Sequence, residues 1–320
     1  MDTPIDFRLS ALQDWLSSLF PETTFTVAAL AGDASFRRYF RAVIGKKSFV
    51  VMDAPPEKEN CAPFIAIANA FENSSARFPT IISHDLNQGF LLLPDFGDRQ
   101  LLLLLENNSA DTLYQSAMAT LLQIQQCSIV PNYHLPYFND VLYWREFEIF
   151  DTWYIKKNLG KKSSDADEKK LKACYQLLID SANTQPQVFV HRDYHSRNIM
   201  LCDDGKLGIL DFQDAVLGPI TYDLVSLLRD CYIAWPDDQI EKWAALFYQQ
   251  LNLSVDFKNF MRWFDLMGLQ RHLKCLGIFS RLYYRDQKEG YLKEIPRVLN
   301  YVITVCNKHP ELQPLMEFLQ

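Results

Sequence analysis

The sequence has no C-x-x-C pair, no apolar run of membrane length and no excess of positive charge, and each absence removes a class of function. The seven cysteines, at 61, 127, 174, 202, 231, 275 and 306, are scattered. That spacing excludes a zinc knuckle or a dithiol redox motif and reads as reduced thiols buried in a core. The longest purely aliphatic run, Leu101 to Leu105, falls far short of the roughly 20 apolar residues that cross a bilayer. The opening MDTPIDFRLS is acidic and polar where a secretory signal carries a basic end and an apolar stretch, so a cytoplasmic location without membrane contact is expected. A formal charge of −7 repels polyanions on average, which argues against nucleic acid as a partner but leaves room for a local site taking one phosphate. Nothing in the sequence indicates an obligate protein partner, an internal repeat or a low-complexity segment.

What is present is a globular composition: 48% hydrophobic, 13% aromatic and 22% charged residues in a chain of 320. Such a chain buries a large core without disulfide or metal staples and suits one bilobal enzyme. Leu12, Trp15, Leu16 and Leu19 recur at helical spacing before Pro21, and short β-prone runs follow at Phe25–Leu30, Phe36–Val43 and Ser48–Asp53, separated by turn residues. Residues 61–73 read as a helix, and Thr80–Ser83 and Gly89–Leu93 as further strands. Beyond residue 94 the pattern changes to long helical stretches at 109–127, 141–157, 166–183, 221–229, 236–250, 257–284 and 288–306. The expected fold class is therefore α+β and bilobal. A small N-terminal antiparallel sheet lobe spans 1–94, and a larger, mainly helical C-terminal lobe spans 95–320.

Within the helical half, the block 187–211 stands out, because VFVH and LGILD read as two short strands flanking a loop rich in His, Arg, Asp and Asn. His191-Arg192-Asp193-Tyr194-His195-Ser196-Arg197-Asn198 fits the spacing H-R-D-x-x-x-x-N of a kinase catalytic loop, and Asp211 follows 18 positions after Asp193. Phosphoryl transfer needs one carboxylate to take or orient the proton of the attacking hydroxyl, and separate oxygen ligands to hold Mg²⁺ against nucleotide phosphates. Asp193 is the expected base, and Asn198 and Asp211 are the expected metal ligands. The bland alternative, Asp and Asn capping turns of a polar loop, leaves the order of small sheet, linker, helical lobe, loop and following carboxylate unexplained. His191 and Arg192 read as loop supports.

The N-terminal half supplies candidates for the nucleotide. Ala31-Gly32-Asp33-Ala34-Ser35-Phe36-Arg37-Arg38 occupies the place of a glycine-rich lid, with Gly32 and Ser35 small enough for backbone N–H groups to approach phosphate. Val50-Val51-Met52-Asp53 lacks the lysine that grips the phosphates in kinases, so Arg37, Arg38 or Arg41 on the neighbouring strand is expected to supply the charge. Period-two geometry puts Arg37, Tyr39 and Arg41 on one face and Arg38 and Phe40 on the other, and only one set can face a cleft. Glu57 and Glu59 read as helix-start carboxylates. Asp95-Phe96-Gly97 spells a metal-binding triplet but precedes the loop, so Leu93-Pro94-Asp95-Phe96 reads instead as the connection between lobes, with the Pro94 carbonyl and the Phe96 amide facing an adenine edge. After Asp211 a helix is reached within about ten residues, too few for the activation segment of a protein kinase, which favours a small-molecule acceptor.

Through HRDYHSRN, ILDFQD and GPITYDL the chain resembles the aminoglycoside phosphotransferase and choline kinase superfamily. GDASFRRYFR at 32–41, VVMDAPPEKEN at 50–60 and LLLPDFGD at 91–98 look more narrowly like its anomeric kinases of N-acetylmuramate and N-acetylglucosamine. That resemblance implies ATP and Mg²⁺ as cofactors, an amino sugar phosphorylated at its C1 hydroxyl, and a place in peptidoglycan recycling. It assigns Asp193 as base and Asn198 and Asp211 as metal ligands. Trp144, Arg145, Asp214, Arg271 and His272 are the expected sugar contacts, since aromatic and Arg side chains suit a sugar bearing a carboxylate. Choline, homoserine or aminoglycoside acceptors, and a scaffold without turnover, remain the competing expectations.

Overall fold

The structure is a computed structural model that describes residues 6–30, 36–106 and 109–319. Asp6 caps α1 (Phe7–Leu19) by accepting a hydrogen bond from the Leu9 amide, and Leu12, Trp15 and Leu16 form its buried stripe. β1 (Phe25–Ala29), β2 (Arg38–Ile44), β3 (Lys47–Asp53), β4 (Ser83–Asp85) and β5 (Phe90–Pro94) make one antiparallel sheet in the order β1-β2-β3-β5-β4. Alternation along the strands splits the sheet's side chains between two cores. Phe40, Ala42, Val51, Phe90 and Leu92 face α1, whereas Met52, Leu91 and Leu93 join the large core. That core continues through α2 (Ala62–Ala70) into the helices, with Phe64 and Phe78 packed on Phe212 at 4.5 and 4.9 Å between ring centroids. The sheet thus ends at Pro94, but apolar packing runs unbroken past it.

The remaining elements are α3 (Leu101–Leu104), α4 (Ala110–Gln125), α5 (Asp140–Ile149), a π-helical segment Phe150–Asn158, α6 (Asp165–Asn183), β6 (Gln187–Val190), β7 (Ile199–Leu201), β8 (Leu207–Ile209), β9 (Val216–Pro219), α7 (Tyr222–Leu228), α8 (Asp237–Tyr248), α9 (Phe257–Tyr284), α10 (Ile295–Lys308) and α11 (Gln313–Leu319). β6 pairs with β9 and β7 with β8, giving two short antiparallel ribbons on either side of the loop 191–198. α9 runs through the centre of the helical half. A Cβ on its Gly277 would stand 2.7 Å from the main chain at Ile149 and Phe150, so glycine there permits the close approach of α9 to the start of the π-helical segment. No helix among the described residues is long and apolar enough to cross a membrane.

Several expected elements shift. The strand expected at Thr80–Ser83 pairs instead from Ser83 to Asp85, the helix expected over 141–157 divides into α5 and the π-helical segment, and a 3₁₀ segment (Glu289–Glu294) precedes α10. Pro296 at the first turn of α10 explains that last break, since proline is accommodated where a helix begins.

Candidate active site

The loop 191–198 joins β6 to β7 and is pinned at both ends by buried carboxylates. Asp223, in the first turn of α7, accepts the His191 amide at 2.6 Å and the Arg192 amide at 3.0 Å. Asp230, just beyond α7, accepts from the Ser196 amide at 2.8 Å and the Ser196 hydroxyl at 2.6 Å. Between them Arg192 sits at φ +75°, a left-handed conformation costly for a non-glycine residue, and its guanidinium is tied to Glu146 of α5 at 2.6 Å. His191 is buried and accepts the Asp193 amide on Nδ1 at 3.3 Å, and burial pulls its pKa down to about 4, so it is neutral. These contacts fix the direction in which Asp193 points.

The side chains of Asn198, Asp211 and Gln213 meet beyond the loop. Asn198 Nδ2 donates to the Asp193 carbonyl at 3.0 Å and lies 3.5 Å from Asp211 Oδ2, while Gln213 Nε2 donates to Asp211 Oδ1 at 2.8 Å. Asp211, one residue past Leu210, takes φ +62°, a second non-glycine residue in the left-handed region. Burial works to raise the pKa of Asp193, but Lys274, His195, Arg192 and Arg271, in that order, outweigh it and hold the carboxyl well below the usual carboxylate range. Asp211 goes the other way, to about 6, because dense surroundings and then the charge of Asp193 disfavour its ionisation. Among the described residues no cation pairs with Asp211. A carboxylate without an ion pair, set against an amide and facing a cleft, offers oxygen donors of the kind a hard divalent cation takes.

That cleft has a volume of about 530 Å³ and is lined on one side by Arg37, Tyr39, Arg41, Val50, Leu93, Pro94 and Phe96, and on the other by Arg197, Asn198, Met200, Leu210 and Asp211. The strand's period decides between the arginines, because Arg37, Tyr39 and Arg41 face the cleft. Arg38 does not, contrary to the expectation that it serves the nucleotide: its Nε donates to Asp53 at 2.9 Å and its guanidinium also holds Asp6, on the α1 side of the sheet. Arg41 clamps the connection between lobes, with Nε 2.6 Å from Asp95 and Nη1 3.1 Å from Asp98. Arg37 pairs with Glu59 at 2.9 Å, so Glu59 is the partner of a cleft cation and not a helix-start carboxylate. Gly32 and Ser35 lie outside the described residues. Pro94 and Phe96 line the cleft where expected, and Gly208 accommodates the Phe96 ring, since a Cβ there would lie 2.4 Å from it.

The five expected sugar contacts scatter. His272 is wholly buried, bonds through Nε2 to the Arg229 carbonyl at 2.9 Å and stacks on Tyr301 at 4.8 Å, so it is a packing residue and not a ligand contact. Trp144 packs on Phe147 and Tyr175 beside a separate surface hollow, also away from the loop. Arg145 is exposed on α5 and is not among the residues lining the cleft. Asp214 is exposed close enough to Asp211 to raise its pKa, and Arg271 is buried close enough to Asp193 to lower its pKa. Sequence reasoning missed Glu146, Asp230 and Lys274. Lys274 of α9 lies 3.3 Å from Glu146 and 3.3 Å from the Tyr222 hydroxyl, and no local motif marks a lysine inside a long helix as the partner of a loop some eighty residues earlier.

Residues 26–253 match the model of the phosphotransferase enzyme family. The chain belongs to that family. Within it, the chain is 41% identical to the N-acetylmuramate/N-acetylglucosamine kinase of Pseudomonas putida, covering 98% of this chain and 96% of the relative. It is 39% identical to the protein of the same name from Neisseria meningitidis, at 98% and 95%. The phosphotransferase fold is also shared with two solved structures: choline kinase LicA from Streptococcus pneumoniae (TM-score 0.65, 14% identity, 92% of this chain and 99% of that one) and a Plasmodium vivax ethanolamine kinase (TM-score 0.67, 12% identity, 91% and 86%). As a phosphotransferase with this bilobal α+β fold, the chain is a kinase acting on a hydroxyl group.

Proposed function

We propose that the chain uses ATP to phosphorylate the C1 hydroxyl of N-acetylmuramate and N-acetylglucosamine, giving sugar 1-phosphates for peptidoglycan recycling. The observation that supports this is Asn198 in the lining of the cleft, bonded to the main chain of Asp193 and 3.5 Å from Asp211, in a chain 41% identical to a kinase named for those two sugars. The nucleotide lies in the cleft with its adenine edge against Pro94 and Phe96 and its phosphates toward Arg37, Asn198 and Asp211. Asn198 and Asp211 would hold Mg²⁺, which when bound offsets the negative charge of the phosphates. Asp193, kept ionised by the cations around it, accepts the hydrogen bond of the sugar C1–OH and takes its proton as the oxygen bonds to the terminal phosphorus and the bond to ADP breaks. Arg37, braced by Glu59, steadies the phosphates as the strand lysine does in protein kinases.

An ATP-coupled assay with each sugar tests this. Turnover of both is expected. Turnover of choline, homoserine or an aminoglycoside with neither sugar accepted would overturn the assignment.

A further inference from the structure

Three arginines line the cleft among the described residues, Arg37 and Arg41 on the side of the sheet and Arg197 on the helical side. Arg37 is tied to Glu59 at 2.9 Å, and Arg41 holds the connection between lobes through Asp95 and Asp98. Arg197 belongs to the catalytic loop itself. It precedes Asn198 directly and shares with Asn198 and Asp211 the wall against which the phosphates of a nucleotide would lie.

An aromatic ring seats its side chain. The guanidinium carbon of Arg197 stands 4.6 Å from the centroid of the Tyr232 ring. A cation held over a ring face is oriented without using its N–H groups for the hold, and those N–H groups, set in a planar fork, are what phosphoryl oxygens take in pairs. One buried carboxylate keys this seat to the loop. Asp230 accepts the Tyr232 amide on Oδ1 at 2.8 Å, and the Ser196 amide and hydroxyl on Oδ2 at 2.8 and 2.6 Å. His195 meets the Tyr232 ring edge to face at 5.3 Å, and Phe279 packs on it at 6.3 Å. The Arg197 carbonyl in turn accepts the side-chain amide of Gln100 at 3.1 Å. Main chain and side chain of Arg197 are both held in place beside the expected metal ligand.

We propose that Arg197 is a second phosphate-binding cation, donating from the helical wall to the oxygens of the transferred phosphoryl group, with Tyr232 as its positioning residue. This rests on the phosphoryl transfer described above, not on the identity of the acceptor. Arg37 rides with the sheet and grips the nucleotide before reaction. Arg197 shares the loop of Asp193 and Asn198, so it is fixed relative to the base and the metal ligand while phosphorus changes partners. The acceptor oxygen gives its proton to Asp193 and bonds to phosphorus, the bond to ADP breaks, and Arg197 holds the oxygens that travel with the phosphorus without giving up a proton. Donors preset for charge that moves in the transition state act on kcat more than on ground-state binding.

The test compares turnover with nucleotide binding in Arg197→Met, Arg197→Lys, Tyr232→Leu and Tyr232→Phe, using whichever acceptor the wild type phosphorylates, so that a failed sugar assignment and a failed proposal are told apart. Arg197→Met is expected to lower kcat at least about 10²-fold, the loss that follows removal of one preorganised donor, while Kd for ATP by calorimetry holds. Arg197→Lys keeps the charge without the fork and should fall between. Tyr232→Leu removes the ring face and should lower kcat up to about ten-fold, whereas Tyr232→Phe keeps the face and the rate. Free guanidinium added to Arg197→Ala should restore part of kcat, which a merely structural arginine would not show. A kcat near the wild-type value in Arg197→Met, or a loss confined to KM for ATP or for the acceptor, would overturn the proposal. Should Arg197→Met fail to fold, the Tyr232 pair decides, since equal kcat in its leucine and phenylalanine variants contradicts the proposal.

Discussion

Arg37 and Glu59 form an ion pair of 2.9 Å in the lining of the cleft, with both side chains largely buried. Protein kinases set a strand lysine against a helix glutamate to grip phosphates, whereas here the cation of the pair comes from the stretch before β2 and the carboxylate from the approach to α2. Arg37→Met should therefore raise KM for ATP at least about ten-fold, the cost of one charge-assisted contact to phosphate. Glu59→Gln should act in the same direction but more weakly. Arg38→Met, on the far face, should leave KM for ATP near the wild-type value and lower the melting temperature. The reverse pattern would reassign the phosphate-binding cation.

Asp193→Ala should lower kcat at least about 10²-fold, the lower range for loss of a general base, while nucleotide affinity measured by calorimetry holds. Asp211→Ala should abolish turnover dependent on Mg·ATP. Near-full activity in either variant would refute the role assigned to it.

His272 supplies a pH prediction away from the chemistry. Burial, followed by the charge of Arg271, pulls its folded pKa down to about 3, against an ordinary value near 6.5 in the unfolded chain. Between those values the unfolded state binds the proton and the folded state does not, so the stability His272 contributes is whole above pH 6.5 and drains as pH falls toward 3. His272→Gln removes that drain. Between pH 6.5 and 5, urea denaturation should show the variant losing about 2 kcal/mol less stability than the wild type. Equal losses would mean that the imidazole titrates in the folded state.

Gly208→Ala places a methyl 2.4 Å from the Phe96 ring, and overpacking of this kind costs about 1–3 kcal/mol. Because Phe96 lines the cleft, KM for ATP should rise along with the loss of melting temperature. A fall in melting temperature alone would separate Phe96 from nucleotide binding.

The catalytic loop was legible in the sequence because its chemistry is local. Asp193 and Asn198 stand five positions apart on one turn, and the following strand delivers Asp211 by its short length. The cleft-facing set on β2 was legible as a choice, since period two separates Arg37 and Arg41 from Arg38. What picked the set was the sheet's other face, where α1 brings Asp6 and Arg8 against Arg38 and Asp53, and no spacing within β2 announces that. The acceptor side was least legible. Trp144 and His272 carry the right chemistry on the wrong helix faces, whereas Glu146 and Lys274 act through tertiary contacts between helices more than a hundred residues apart.

Phosphorus NMR of the product formed from N-acetylmuramate and ATP tests the central claim most directly. An anomeric phosphate, with the C1 proton split by phosphorus and no phosphate at C6, is expected. A 6-phosphate, or hydrolysis of ATP without a phosphorylated sugar, would contradict it.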